Sequence, residues 1–164
     1  MFYINLFFIY AFLGHILEKI LYPDHVSGIL YGFWTPIYGI GAVIIVLSYK
    51  FLEKRLKLNK WLKAICTFLI GAVFLSFIEF LGGTLIEAIF GITFWNYSNM
   101  KFNFGKYASL EMSLVWGIAS LVLIYIIEPF LRKIASKIPK WVTYTLTIIF
   151  IIDIALSLLL RKNY

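Results

Sequence analysis

Charge is scarce in this chain, and cysteine and proline scarcer still: 14% of its 164 residues are charged, eight are Asp or Glu, four are proline and one is cysteine. Each shortage excludes something. With Cys66 alone, no intrachain disulfide or cysteine metal cluster can form, and a thiol inside an apolar run reads as a small core residue. No H-E-x-x-H pattern supports a metal site, and no cofactor is expected. A phosphate-binding G-x-x-x-x-G-K-[ST] loop and a dinucleotide glycine fingerprint are both missing, so any ATP hydrolysis is expected on another polypeptide. The amino terminus, MFYINLFFIYAFLG, lacks the basic region and small-residue cleavage site of a signal peptide and reads as a retained first span.

What the chain has is apolar surface. Hydrophobic residues make up 62% and mean hydropathy is +0.91, whereas soluble domains run nearer 45–50% apolar and about 25% charged. The composition is that of an integral membrane protein, an all-α polytopic bundle in contact with the lipid bilayer. Hydropathy predicts five spans in a single membrane domain covering 1–164: residues 2–22, 32–49, 62–90, 109–130 and 141–160. Pro36 falls in the first turns of the second helix, Pro129 is expected to end the fourth, and Pro139 precedes the fifth.

Basic residues divide unevenly between the connections. Lys50, Lys54, Arg55, Lys57, Lys60 and Lys63 lie in one, and Arg132, Lys133, Lys137 and Lys140 in another. Both fall on one side of a five-span topology, opposite Lys19, Lys101, Lys106, Arg161 and Lys162. The positive-inside bias therefore predicts an amino terminus inside and a carboxy terminus outside. The net charge of +7 is then mostly topogenic, suited to anionic headgroups or to a soluble partner near Lys50 to Lys63, and gives no argument for nucleic acid.

Against this background the acids stand out. Glu79 and Glu87 sit in an uncharged run, AICTFLIGAVFLSFIEFLGGTLIEAIFG, where a carboxylate costs several kcal/mol unless it meets a partner, a cavity or a pathway. Helical geometry puts Ala72, Ser76, Glu79, Gly83 and Glu87 on one stripe, and Ala11, Gly14, His15 and Glu18 on a similar stripe of the first span. Small residues admit close approach, so these two faces are expected to pack together with their acids adjoining. His15 reads either as half of a proton-sharing pair with Glu18 or as an interhelical hydrogen-bonding group. Glu111 is expected to face the headgroup region.

Between the third and fourth spans lies an aromatic connection, residues 91–108, placed outside. It reads either as an interfacial loop anchored by Trp95, Tyr97, Phe102, Phe104 and Tyr107, or as a lid over the acids with Asn96, Ser98, Asn103 and Lys106 supplying hydrogen bonds. An internal echo also runs through the chain. FLGHILE resembles FLGGTLIE, and IYGIGA resembles VWGIA, which would make the first four spans two helix pairs followed by a fifth helix.

Several of these strings occur together in one family. P-I-Y-G-x-G from Pro36, the acids Glu79 and Glu87, W-x-Y-S from Trp95, F-N-x-G from Phe102 and S-x-x-W-G from Ser113 resemble the bacterial membrane family described as "Putative ABC-transporter type IV", or CmpB-like. The resemblance implies a small permease-like subunit of the bacterial cytoplasmic membrane. The chain departs from the family pattern at Asn96, where W-D-Y-S is usual, at Val26, Ser27 and Gly28, where N-R-G is usual, and at His15, where tryptophan is usual. The missing acid and base point to an ion pair lost from this copy.

Function is read accordingly. The first expectation is a permease-like subunit, not an enzyme, in which Glu18, Glu79, Glu87 and His15 bind a cation, a proton or a cationic solute, working with a separate ATPase. Five spans enclose little, so a homo- or hetero-oligomer is implied. The rival is a non-transporting protein that stabilises or regulates a membrane complex. A lipid-directed enzyme ranks last, because no nucleophile or metal constellation accompanies the carboxylates.

Overall fold

The computed structural model describes residues 1–21, 23 and 28–160. Tyr22, Val26, Ser27, Arg161 and Lys162, named above, lie outside the described residues, and with them half of the suggested lost ion pair. Five helices carry the chain: α1 (Phe2–Leu21), α2 (Pro36–Arg55), α3 (Lys60–Phe90), α4 (Leu110–Lys137) and α5 (Lys140–Leu160). All five are long and apolar enough to cross a membrane. Among the described residues no strand forms, only an isolated antiparallel bridge between Asn103 and Ser109.

Local chemistry sets the helix ends. Pro36 opens α2, where its missing N–H costs nothing. That start lies four residues after the expected one, because residues 31–34 are held in a non-helical turn by Asp153. Asn59 caps α3 by accepting the Leu62 N–H at 2.8 Å. Gly91 stops the same helix in the left-handed region, φ 67°, donating its N–H to the Glu87 carbonyl. Ser109 caps α4 through the Met112 N–H at 3.1 Å. At 31 residues, α3 is about 46 Å long and outreaches a hydrocarbon core of about 30 Å.

Pro129 does not end the fourth helix, contrary to expectation. The backbone widens into a π turn over Leu123–Ile127, and the Glu128 N–H bonds to the Leu123 carbonyl. Proline lacks the N–H needed to continue an α-helix and crowds the carbonyl one turn earlier. A wider turn just before it relieves both problems, and the helix continues to Lys137.

By contacts the chain divides into two compact units, Met1–Ile40 with Leu131–Tyr164, and Gly41–Phe130. In the first, Leu6, Phe8, Tyr10 and Ala11 are buried, and Phe7, Phe8, Trp34 and Phe150 form an edge-to-face cluster. Asn5 donates to the Ala135 carbonyl at 2.9 Å and accepts from Thr143 Oγ1 at 2.6 Å, so a buried amide is satisfied on both sides. In the second unit, α3 presents Thr67, Gly71, Ala72, Ser76, Glu79 and Gly83 as its buried face. The α4 residues Gly117 and Ser120 are buried in turn, giving the small-residue interface that brings membrane helices close. Large apolar side chains such as Val73, Phe77, Ile118 and Ile126 point outward, as lipid-facing residues do.

Candidate functional site

The stripe predicted on α3 is buried at Ala72, Ser76, Glu79 and Gly83. It packs on α4, and Glu79 finds its partners inside its own unit. Trp116 Nε1 of α4 donates to Oε2 at 2.8 Å, and the Tyr97 hydroxyl of the connection donates to Oε1 at 2.7 Å. One turn earlier, Ser76 and Ser113 share a hydrogen bond of 2.7 Å. Glu79 is 5% exposed, and both of its oxygens are bonded, which makes its burial tolerable.

Two turns further along, Glu87 is exposed and differently held. Lys106 Nζ bonds Glu87 Oε1 and also donates to Thr93 Oγ1 at 2.8 Å. The Tyr107 hydroxyl donates to Glu87 Oε2 at 2.7 Å. The hydrogen bond to Glu87 raises the Lys106 pKa above its ordinary value, against a smaller opposing effect of desolvation. Tyr107 is itself buried, with Trp95 against its ring at 5.9 Å and Lys106 Nζ 5.3 Å from its centroid.

The connection is therefore fastened to the carboxylates, and of the four polar residues named for it only Lys106 does so by its own side chain. Lys106 and Tyr97 reach the acids. Asn96 Oδ1 accepts the Ser98 N–H at 2.9 Å, and Asn103 Nδ2 donates to the Ser98 and Met100 carbonyls at 3.0 and 2.9 Å. These three polar residues shape the loop. Glu111 also belongs to it, its Oε1 accepting the Phe102 N–H at 3.2 Å.

Glu18 belongs to the other unit. Thr35 Oγ1 donates to its Oε2 at a long 3.4 Å, and the Tyr38 hydroxyl bonds the same carboxylate. His15 packs edge-to-face on Phe33, 5.7 Å between centroids, and its buried Nδ1 has no hydrogen-bond partner. Through that nitrogen it forms neither of the contacts proposed for it from sequence. Among the described residues, no three His, Cys, Asp or Glu side chains come together as a metal-binding group.

Two kinds of participant escaped the sequence. Tyr107 and Trp116 were visible within motifs but not as donors to Glu87 and Glu79. Asp153, buried on α5, collects the Tyr31 and Gly32 N–H groups, each at 2.9 Å, Trp34 Nε1 at 2.7 Å and Ser157 Oγ at 3.4 Å. Its role is to pin the turn before α2.

A family model described as "Putative ABC-transporter type IV" matches residues 5–159. No curated protein and no solved structure matches the chain.

Proposed function

Since the chain belongs to the family described as "Putative ABC-transporter type IV" and carries five membrane-compatible helices, we propose that it is a permease-like membrane subunit that receives a cationic group at Glu87. The observation that supports this reading is the Lys106 ammonium on Glu87, flanked by Thr93 and the Tyr107 ring. A carboxylate, a hydroxyl and an aromatic face form a suitable ligand set for an ammonium ion. Lys106 then acts as a tethered occupant that a cationic solute replaces when the connection opens.

In this reading the basic connections face the cytoplasm of a bacterial cell, and Lys50 to Lys63 dock a separate ATPase. Residues 91–108 face outward, and a second copy or another subunit completes the pathway. Glu79 supports the occupied loop from beneath. Glu18, with His15 nearby, is an acidic position of the other unit.

The test is a melting screen of the detergent-purified protein against a series of organic ammonium ions. Lys106→Gln should sharpen the response to these cations several-fold by vacating Glu87, and Glu87→Gln should remove it. A response absent from wild type and Lys106→Gln alike sinks the proposal. A second reading, a non-transporting protein that stabilises a complex, is favoured by Glu79, whose oxygens are both committed within the chain. It predicts that acid substitutions lower stability while no cation alters melting.

A further inference from the structure

The environments of Glu18 and Glu79 repeat one pattern. Along the first helix of each pair, Phe68, Ala72 and Glu79 have the spacing of Phe7, Ala11 and Glu18. Along the second, Ser113, Trp116 and Gly117 have the spacing of Thr35, Tyr38 and Gly39. The contacts repeat too. Trp116 and Tyr38 each bond the glutamate of their own unit. The glycine that follows lies against the phenylalanine of the same pair: a Cβ added at Gly117 would be 2.6 Å from Phe68 Cε2, and one at Gly39 2.6 Å from Phe7 Cδ2.

A second correspondence runs in the register suggested by FLGHILE and FLGGTLIE. Tyr38 lies on Gly14 and bonds Glu18, much as Tyr107 lies on Gly83 and bonds Glu87. That register also pairs Leu6 with Leu75, Phe8 with Phe77, Ile9 with Ile78 and Ile20 with Ile89, so residue identity along the first helix does not choose between the two. The register through Glu79 is the one that continues along the second helix, from Thr35, Tyr38 and Gly39 to Ser113, Trp116 and Gly117, and on that ground Glu79 is the counterpart of Glu18.

The partners of the two acids also share a chemical property. At Glu79, Trp116 N–H can only donate, which fixes Oε2 as an acceptor, while the Tyr97 hydroxyl on Oε1 can donate or accept. At Glu18 both partners, Thr35 and Tyr38, are hydroxyls. Each carboxyl can gain a proton on the oxygen that faces a hydroxyl, which turns from donating to accepting, so that no donor is stranded against it. A metal ion or ammonium group at Glu79 would share its oxygens with the indole N–H and the Tyr97 hydroxyl already bonded to them. Among titratable and charged groups, Glu18 faces Lys19 on its own helix and Tyr38 on α2, and Glu79 faces Tyr97 from the connection.

We propose that Glu18 and Glu79 are two copies of one proton-exchanging site, each taking up and releasing a single proton on its carboxyl, whereas Glu87 is not. The assignment refines the acidic positions discussed above and rests on their being working groups, but its readout is protonation rather than cation binding, so the two fail separately. Difference infrared spectroscopy of the purified protein, stepped from acidic to alkaline pH, should show two reversible protonated-carboxyl bands that substitution picks out among those of the chain's eight Asp and Glu side chains. Glu18→Gln should remove one, Glu79→Gln the other, and Glu87→Gln neither. Tyr38→Phe and Trp116→Phe, which delete a hydrogen bond and keep an aromatic ring, should shift the Glu18 and Glu79 bands respectively, giving a reading even if a glutamine variant fails to fold. Persistence of both bands in the double glutamine variant overturns the proposal. Loss of either band in Glu87→Gln, or bands unmoved by both aromatic substitutions, also overturns it.

Discussion

Glu79 and Glu87 differ less by charge than by the groups that hold them. Glu79 has two donors and almost no exposure, so Glu79→Leu leaves the Trp116 indole N–H, which can only donate, without an acceptor. An orphaned buried donor costs about 1–3 kcal/mol, and thermal melting in detergent should fall accordingly, whereas Glu87→Gln at the exposed end of α3 should lower it less, through the lost charge pairing with Lys106. The Lys106 pair adds a pH signature. Its pKa is raised by Glu87, so its stabilising contribution is complete below the ordinary lysine pKa of about 10.4. It is lost as pH rises through the higher folded-state value. The stability difference between wild type and Lys106→Met should hold through neutral pH and close only in strongly alkaline buffer; a difference that closes near neutrality contradicts the pairing. The sequence showed these acids because carboxylates are rare in apolar runs. It could not show that Trp116 and Tyr107 donate to them, since an aromatic in a membrane protein is as well explained by the interface or by packing.

At the scale of elements, the five spans were legible from hydropathy because each segment is long and apolar. The two misjudged boundaries have separate causes. The fourth helix passes Pro129 because a π turn absorbs the defect, and an i to i+5 bond leaves no mark in residue type. The second helix starts late because Asp153 binds the N–H groups of Tyr31 and Gly32; backbone donors have no residue identity, so their acceptor stands in the sequence as an unexplained acid. Asp153→Asn keeps the volume and removes acceptor capacity. It should lower stability by about 1–2 kcal/mol and speed amide hydrogen exchange at Tyr31 and Gly32, with the hydrogen-bonded Tyr97 and Phe104 amides of the other unit unchanged. Equal acceleration at all four sites would mean that Asp153 is not a local pin.

For the whole molecule, the repeated glycine-on-phenylalanine contact is the most direct handle on how each unit is fastened, and the two copies differ in a way that can be measured. At Gly117 the atoms nearest an added Cβ all belong to the Phe68 ring, at 2.6–2.9 Å, whereas at Gly39 the Phe7 carbonyl oxygen is also only 2.7 Å away. A ring can be trimmed or can turn; a helix backbone oxygen cannot. Overpacking a close contact costs about 1–3 kcal/mol, so Gly39→Ala and Gly117→Ala should both destabilise, Gly39→Ala the more. Phe68→Leu should recover part of the Gly117→Ala loss, because the branched side chain vacates the space the new methyl needs, and the double-mutant cycle should show coupling of about 0.5 kcal/mol or more. Phe7→Leu should recover little of the Gly39→Ala loss, because the carbonyl stays in place. Equal rescue at both positions would show that side-chain crowding alone governs these contacts and that the backbone approach of α1 to α2 contributes nothing to the difference.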